Sequence, residues 1–300
     1  MKYMSTADPE KQRTRSLKQE GYNPSVSDYW QLLKPRVMSL VVFTGLCGML
    51  TSPGTIHPIL GFTAILSLAI GAGAAGCLNM WWEKDSDALM KRTANRPLPA
   101  GRVDPDTALA FGMIMACGSI LTMMVAVNLM AATLLAFTIF YYVVIYTALL
   151  KPNTPQNIVI GGAAGALPPV IGWAAVTGTA PIEAWALFLI IFLWTPAHFW
   201  ALSLQCSDDY KNAGIPMLPC VKGPKATKRQ IFIYTLLTVI SSYLPYYFHI
   251  AHILYLGIAS VLGIGFIGIS IAVCYFDKNP LSLFSYSIFY LFFLFLALVV

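Results

Sequence analysis

Long segments without charge dominate this 300-residue chain. A membrane-spanning helix needs about 20 mostly apolar residues, because each residue advances about 1.5 Å and the hydrocarbon layer is about 30 Å thick. Apolar stretches of that size recur at 37–52, 58–80, 107–127, 130–150, 157–177, 181–204, 230–248, 253–275 and 281–300. Composition agrees, since only 11% of residues are charged, against about 25% in soluble proteins. The sequence therefore predicts an all-α polytopic membrane protein with nine transmembrane helices.

The N-terminal segment, residues 1–28, differs from the rest because it is polar and has no apolar core. A secretory signal is therefore not expected, and the acidic residues among its bases argue against a transit peptide. We expect this segment to be cytoplasmic and residues 29–300 to form a single transmembrane domain.

The distribution of bases predicts the orientation. If the N-terminus is inside, the connections at 83–106, 151–156, 205–229 and 276–280 are inside as well. Together with the segment before the first span they contain all 19 lysines and arginines, and the connections on the other side contain none. Because cytoplasmic loops carry the excess of bases, we expect a cytoplasmic N-terminus and a C-terminus on the opposite side.

The two largest charged loops suggest an internal repeat. The first charged loop, 83–106, follows the second span, and the second charged loop, 205–229, follows the sixth. The chain crosses the membrane four times between these loops, so both lie on the same side of the membrane. The first eight helices could thus form two parallel four-helix halves. We expect these halves and a ninth helix to surround a central cavity that opens inward between the loops.

Oxygen-bearing side chains cluster at the start of the first charged loop. Asn79, Glu83 and Asp87 are four residues apart, so a continuing helix would place them on one face, with Asp85 near its edge. A hard cation would relieve the repulsion between the acids. Mg²⁺ that also binds phosphate oxygens needs about one or two protein carboxylates. We therefore expect Asn79, Glu83, Asp85 and Asp87 to be metal ligands.

Two arginines follow in the same loop. Arg92 and Arg96 carry planar guanidinium groups suited to phosphate oxygens. Together with the acids they predict a Mg²⁺-diphosphate site at the membrane surface. The alternative is a solvated, positively charged loop that only fixes the topology.

The second charged loop is the counterpart of the first. Asp208 and Asp209 are adjacent, so they cannot chelate one ion from a common helical face as the first set can. They could supply a second Mg²⁺ contact, and Lys211, beside Tyr210, could contact the diphosphate. A solvated acid pair at a helix end is the alternative.

His198 is the one histidine expected well inside a span near the inner face, since His57, His249 and His252 fall in outer connections. A histidine in a membrane helix needs a polar partner and is a functional hypothesis by default. The alternative is an imidazole hydrogen-bonded to a neighbouring helix. Pro196 should loosen the helix beside it.

Three sequence blocks together resemble a known family. They are N-x-W-W-x-x-D-x-D-A-x-M-x-R-T-x-x-R-P-L-P from Asn79, TPQNIVIGGAAGALPP from Thr154, and HFWAL from His198 with DYKNAGIPMLP after it. The chain is similar over residues 30–300 to the protohaem IX farnesyltransferases, the haem branch of the intramembrane aromatic prenyltransferases. The resemblance implies nine transmembrane helices in a bacterial inner membrane, Mg²⁺ as cofactor, and farnesyl diphosphate and haem B as substrates. Haem O for terminal oxidases is the implied product.

The resemblance also assigns roles to single residues. The aspartate-rich motif of the family falls on Asn79, Glu83 and Asp87, with glutamate in place of the usual aspartate at position 83. The paired arginines of the family fall on Arg92 and Arg96, and its loop histidine on His198. The residues implied as catalytic are therefore Asn79, Asp87, Arg92, Arg96 and His198.

A basic inward-facing rim suits two substrates with anionic ends. We expect this rim to include Lys34, Arg36 and the two charged loops, with Tyr210, Lys211 and His198 contacting substrate. Membrane lipid is a further partner, nucleic acid is not expected, and a downstream haem-modifying enzyme or oxidase assembly factor could take the product.

Two other classes remain open. A quinone-pathway prenyltransferase would share the fold and the diphosphate site but bind a flat aromatic acid. A transporter with parallel repeats predicts ionisable residues deep within the spans, of which His198 is the only example in the sequence.

Overall fold

The computed structural model describes Tyr22 and residues 24–300, so most of the predicted N-terminal segment lies outside the described residues. Every regular element within them is helical. The helices in chain order are α1 (Val26–Leu32), α2 (Pro35–Thr51), α3 (Pro58–Ala88), α4 (Pro105–Ala126), α5 (Leu129–Phe140), α6 (Asn157–Ala166), α7 (Pro168–Thr177), α8 (Ile182–Gln205), α9 (Ser207–Asn212), α10 (Leu218–Ser241), α11 (Leu244–Tyr247), α12 (Ile253–Tyr275) and α13 (Pro280–Leu296). Helix α5 continues as a π-helix, Tyr141–Leu150, and ends with the turn Lys151–Asn153.

Polar caps and prolines begin several of these helices. Asp104 accepts a hydrogen bond from the Thr107 amide at 2.9 Å, and Pro105 occupies the first turn of α4. A proline fits there because its missing N–H would have no partner within the helix. Asn128 caps α5 through the Ala131 amide and also donates to the carbonyl of Ala174, which ties α5 to α7.

Six helices are long and apolar enough to cross a membrane. The bent pair of α1 and α2, with 53° between the two helices, provides a seventh crossing if it counts as one span. The predicted number of nine is not confirmed on these criteria. Helix α10 has bases over its first half, and α13 has only 17 residues.

Two predicted boundaries differ from the structure. The second span was expected to end near residue 80, whereas α3 continues to Ala88 and carries the acidic residues with it. The seventh was expected to run to residue 248, whereas α10 ends at Ser241. Pro245 follows within the short α11, where its missing N–H cannot extend the earlier helix.

Small residues let α2 and α7 approach closely. A side chain at Gly172 would place Cβ 1.9 Å from the carbonyl oxygen of Gly45, and one at Gly48 would place it 2.1 Å from that of Pro169. Membrane helices gain little from the hydrophobic effect against each other, so such close packing is a main source of their association. The two helices would have to separate if either glycine were replaced.

Buried apolar side chains form two main clusters. One joins α3, α4, α5 and α7, and includes Leu68, Leu135 and Ile171. The larger one is centred on α8, α10, α12 and α13 and includes Trp200 and Phe266. Helix α7 contributes to both clusters and so connects the two sides of the molecule.

Candidate functional site

The three residues Asn79, Glu83 and Asp87 lie on one face of α3, because the helix continues without a break to Ala88. We call them the acidic face. Each side chain is buried, with 2%, 6% and 2% of the residue exposed. The sequence predicts a common face only if the helix continues through all three positions, and the structure shows that it does.

A base from another part of the chain pairs with each residue of the acidic face. Arg96 Nη1 lies 2.6 Å from Asp87 Oδ2, and Lys151 Nζ lies 2.6 Å from Glu83 Oε1. Lys34 Nζ donates a hydrogen bond to Asn79 Oδ1. These pairs offset the cost of burying the two carboxylates, since an unpaired buried charge is expensive.

Lys151 was expected only as a topology signal, and its place beside Glu83 is a finding of the structure. The π-helix Tyr141–Leu150 leads directly to it. Segments of π-helix are rare and often lie at functional sites. The same segment places Thr147 against Asn79, whose Nδ2 donates to Thr147 Oγ1 at 2.8 Å. The one sequence signal for Lys151 was its isolation, because it is the only base between Arg102 and Lys211.

The acidic face offers oxygen atoms of the kind that Mg²⁺ prefers: one amide oxygen and two carboxylates, one helical turn apart. The donor set therefore fits a magnesium ion that shares its shell with phosphate. Within the described residues no three His, Cys, Asp or Glu side chains already converge as a metal cluster. The two carboxylates point to Lys151 and Arg96 instead.

Asp85 is separate from this set. Its side chain is 89% exposed and lies 3.4 Å from Lys84 Nζ. It is two residues away from both Glu83 and Asp87, so the helical twist carries it off the buried face. The structure therefore does not bring Asp85 together with the other three predicted ligands.

The two charged loops contact each other through Arg92. Its backbone amide lies 3.3 Å from Asp209 Oδ2, and its guanidinium lies 3.5 Å from the Tyr210 hydroxyl. Tyr210 is buried, and this burial raises the pKa of its hydroxyl. Asp208 and Lys211 are exposed. The predicted meeting of the loops on one face is thus present, whereas Asp208 and Asp209 do not join the acidic face.

The remaining members of the predicted basic rim are divided. Lys34 reaches the acidic face, as described, from a backbone in the left-handed region with φ 52°. A lysine in this region is uncommon and such strain tends to occur at functional sites. Arg36, two residues later, is exposed.

His198 lies in α8 and packs against α13. Its ring is stacked between Trp194, at 4.2 Å between centroids, and Phe284, at 4.5 Å. Its Nδ1 lies 2.6 Å from Ser287 Oγ. When the Ser287 hydroxyl donates to the Phe284 carbonyl, 2.7 Å away, Nδ1 is the donor to Ser287. In a neutral ring Nε2 then keeps its lone pair.

An apolar cavity of about 120 Å³ begins beside Lys34. Side chains of α2, α3 and the α5 region line it, including Val37, Leu68, Leu135 and Tyr142. Because Lys34 also bonds to Asn79, the cavity and the acidic face adjoin. The arrangement combines an oxygen-donor face, four nearby bases and an apolar space, which suits an amphipathic anion with a long hydrocarbon tail.

Comparison with known families agrees with this class of site. Residues 40–298 match the UbiA prenyltransferase family. The chain belongs to this family of membrane prenyltransferases.

Relatives of similar length have a more specific name. The chain is 53% identical over 303 residues to a protohaem IX farnesyltransferase of Parvibaculum lavamentivorans, covering 99% of this chain and 95% of the relative. It is 56% identical to that of Rhizobium etli strain CIAT 652, covering 92% and 89%, and 53% identical to that of Rickettsia bellii, covering 91% and 92%.

Solved structures share the fold. A structure of digeranylgeranylglyceryl phosphate synthase matches with a TM-score of 0.72 and 18% identity, covering 91% of this chain and 98% of that one. A UbiA homologue of Archaeoglobus fulgidus bound to GPP and Mg²⁺ matches with a TM-score of 0.64 and 18% identity, covering 91% and 99%.

Proposed function

We propose that this protein transfers the farnesyl group of farnesyl diphosphate to a vinyl group of haem B, with addition of water, to give haem O and diphosphate. Haem O would serve haem-copper terminal oxidases. The observation that carries the proposal is the identity of 53% or more, over nearly the full length of both chains, to proteins named protohaem IX farnesyltransferase. The quinone-pathway alternative has no such support.

The acidic face is the proposed metal site. Asn79 Oδ1 and the carboxylates of Glu83 and Asp87 would hold Mg²⁺, an assignment supported by their common buried face and by the Mg²⁺ bound to the Archaeoglobus homologue. When bound, Mg²⁺ neutralises negative charge on a diphosphate leaving group. Asp85, Asp208 and Asp209 are weaker candidates, because each lies apart from that face.

The bases around the acidic face would bind the diphosphate. Arg96 and Lys151 already lie 2.6 Å from its carboxylates, and Lys34 contacts its amide. Arg92, on the first charged loop and near Tyr210 of the second, would complete the set. As the allylic C1–O bond breaks, both bonding electrons leave with the diphosphate, and these fixed positive charges stabilise it.

The apolar cavity would receive the farnesyl chain. It adjoins Lys34 and so begins where the diphosphate is expected to bind. The farnesyl cation reacts with any water that reaches it, and a lining that is mostly aliphatic, with Tyr142, would keep water away from the chain bound there. An aromatic ring face can also stabilise a neighbouring cation.

The haem vinyl group would then act as the nucleophile. Its terminal carbon forms a bond to farnesyl C1, and the positive charge moves to the vinyl carbon next to the porphyrin. Water adds there and loses a proton, leaving a hydroxyethylfarnesyl substituent. We assign His198 to the haem side of the site, because its Nε2 lone pair could bind iron or accept that proton.

The membrane setting follows the distribution of bases. We propose a bacterial plasma membrane, with the charged loops and the N-terminus on the cytoplasmic side. Both substrates would then meet the basic rim, which includes Arg36 and Lys211. A downstream haem-modifying enzyme or an oxidase assembly factor would receive haem O.

The test is a reaction with purified protein in detergent, supplied with haem B, farnesyl diphosphate and Mg²⁺. We expect a haem that elutes later in reversed-phase chromatography and has the mass of haem B plus one farnesyl group and one hydroxyl group. EDTA should abolish it, and added Mg²⁺ should restore it. Unchanged haem B would contradict the proposal, and prenylation of 4-hydroxybenzoate in a parallel reaction would favour the quinone-pathway alternative.

A further inference from the structure

Among the residues that the structure describes, Thr147, in the π-helix, is the one neighbour whose side chain bonds to the amide group of Asn79 without carrying a charge. The residue is buried, with 2% exposed, and its hydroxyl takes part in two hydrogen bonds. We propose that Thr147 is a positioning residue that holds the Asn79 carbonyl oxygen toward the metal and diphosphate site. This inference rests on the proposed function.

The direction of the hydrogen bonds determines which way Asn79 faces. Thr147 Oγ1 donates its only proton to the carbonyl oxygen of Tyr142 at 2.8 Å, so toward Asn79 it can only accept. Asn79 Nδ2 lies 2.8 Å from it and is therefore the donor. Turning the amide by 180° would set two oxygen lone pairs against each other. Only the present orientation directs Oδ1 toward Lys34 and leaves it able to bind a cation.

The π-helix provides the geometry of this contact. Thr133 and Thr138, in the regular part of α5, bond to carbonyl oxygens four residues earlier, at 2.8 and 2.7 Å. Thr147 bonds to one five residues earlier. The change of register coincides with the point at which the helix meets α3. Thr147 contacts Asn79, and one turn later Lys151 contacts Glu83, so the pairs match turn by turn.

An asparagine ligand depends on such a partner more than a carboxylate does. Only one of its two terminal atoms can bind a cation, whereas either oxygen of an aspartate can. Outer partners that orient a ligand typically change metal affinity by about 10–100-fold when they are removed. Thr147→Val keeps the shape of the side chain and removes the hydroxyl, so it isolates this effect.

The test measures Mn²⁺ binding to the purified protein by electron paramagnetic resonance, with farnesyl diphosphate present and haem omitted so that no turnover occurs. For Thr147→Val we expect the Kd for Mn²⁺ to rise about 10–100-fold. Thr147→Ser, which restores the hydroxyl, should return it to within about threefold of the wild type, on the same reasoning. Thr133→Val is the matched control on the same helix, because its hydroxyl is exposed, and should bind as the wild type does.

A second comparison separates orientation from packing. In Asn79→Asp protein either oxygen can face the ion, so adding Thr147→Val should no longer weaken Mn²⁺ binding. Equal loss in both backgrounds would assign Thr147 to packing and overturn the proposal. So would wild-type affinity in Thr147→Val protein that forms haem O as the wild type does. Mn²⁺ binding that depends on Thr147, in a wild type that forms no haem O, would instead overturn only the proposed function.

Discussion

At the scale of single residues, the acidic face is organised by pairing. Asp87 and Glu83 are nearly excluded from solvent, yet each has a base at 2.6 Å. Removing one partner of a buried pair typically costs about 3–5 kcal/mol, because the other charge stays buried without compensation. The bases are thus required for the fold of the site as well as for its proposed chemistry, so substitutions here should conserve shape.

Asp87→Asn tests the acidic face with the least change of shape. The amide can still accept a hydrogen bond from Arg96, so the protein should insert and fold. The metal loses a charged ligand, and we expect turnover at limiting Mg²⁺ to fall at least about 100-fold, the upper limit for an outer partner. Haem O formation across a Mg²⁺ titration measures the effect. Wild-type turnover at limiting Mg²⁺ would remove Asp87 from the site. Glu83→Asp introduces the residue that is usual in the family at this position, and the variant should form haem O as the wild type does.

Arg96→Lys tests whether phosphate recognition needs a guanidinium. Lysine keeps the positive charge of the loop, so insertion should not change, but it cannot donate two parallel hydrogen bonds from a planar group. We expect the KM for farnesyl diphosphate to rise about tenfold, which corresponds to about 1.4 kcal/mol. Lys91→Arg, in the same loop and exposed, is the control. Unchanged kinetics for Arg96→Lys would leave this arginine as the partner of Asp87 and remove it from phosphate recognition.

The sequence predicts the site residues that are close together along the chain, and it does not predict contacts between distant segments. Asn79, Glu83 and Asp87 share a face because they are four residues apart on one helix, and spacing reveals that directly. Lys151 lies 68 residues from its partner. Its position depends on how two helices pack and on a π register, neither of which leaves a pattern in a single sequence.

At the scale of elements, α1 is held to the first charged loop by one arginine. Arg102 Nε lies 2.7 Å from Asp28 Oδ1, and Arg102 Nη2 lies 3.0 Å from the Asn95 carbonyl oxygen. Asp28 also completes a capping box with Ser25 at the start of α1. Lys34 lies two residues after the end of α1, so a contact that holds α1 in place also limits where Lys34 can lie.

We expect the Asp28–Arg102 pair to stabilise α1 in a measurable way. Asp28→Asn and Arg102→Gln should each lower the free energy of unfolding, because each removes a charge-assisted hydrogen bond. In the double variant the loss should be smaller than the sum of the two single losses, because the two residues bond to each other. Thermal unfolding in detergent gives these values. Asn128→Ala removes the cap of α5, shares no partner with Arg102, and should add independently to Arg102→Gln. Fully additive losses for Asp28 and Arg102 would show that the pair contributes nothing.

The sequence predicts the end of a helix where the composition changes. It does not predict an end that depends on how the helix packs against its neighbours. The charged end of α3 appears in the sequence as the end of an apolar run, yet the helix continues because its acids find partners. The end of α10 at Ser241 falls within an apolar stretch that gives no warning of it. Apart from Thr147, the π-helix likewise consists of ordinary apolar and aromatic residues.

At the scale of the whole molecule, α13 is the helix that the expected repeat of two four-helix halves would leave over. It nevertheless contributes Tyr290 and Phe295 to the larger core, and its Ser287 is buried as well. Trp194 Nε1 donates to the Ser287 carbonyl at 2.8 Å, and His198 bonds to the Ser287 hydroxyl. The last helix therefore orients the imidazole of α8, so His198 reports on the assembly of the molecule as well as on its proposed chemistry.

The two roles of His198 can be separated by spectroscopy. If it contacts haem through Nε2, His198→Ala should shift the Soret and visible bands of bound haem B and leave farnesyl diphosphate binding intact. If it accepts the proton of the attacking water, the bands should persist and haem O formation should fall by about 10²–10⁴-fold, the usual range for a general base. Phe284→Leu is the control, because it removes one stacking face and keeps the imidazole. We expect the band shift, since Ser287 holds Nδ1–H and leaves Nε2 free to bind iron. Normal spectra with normal turnover in His198→Ala, and a loss of thermal stability equal to that of Phe284→Leu, would leave the histidine with packing alone.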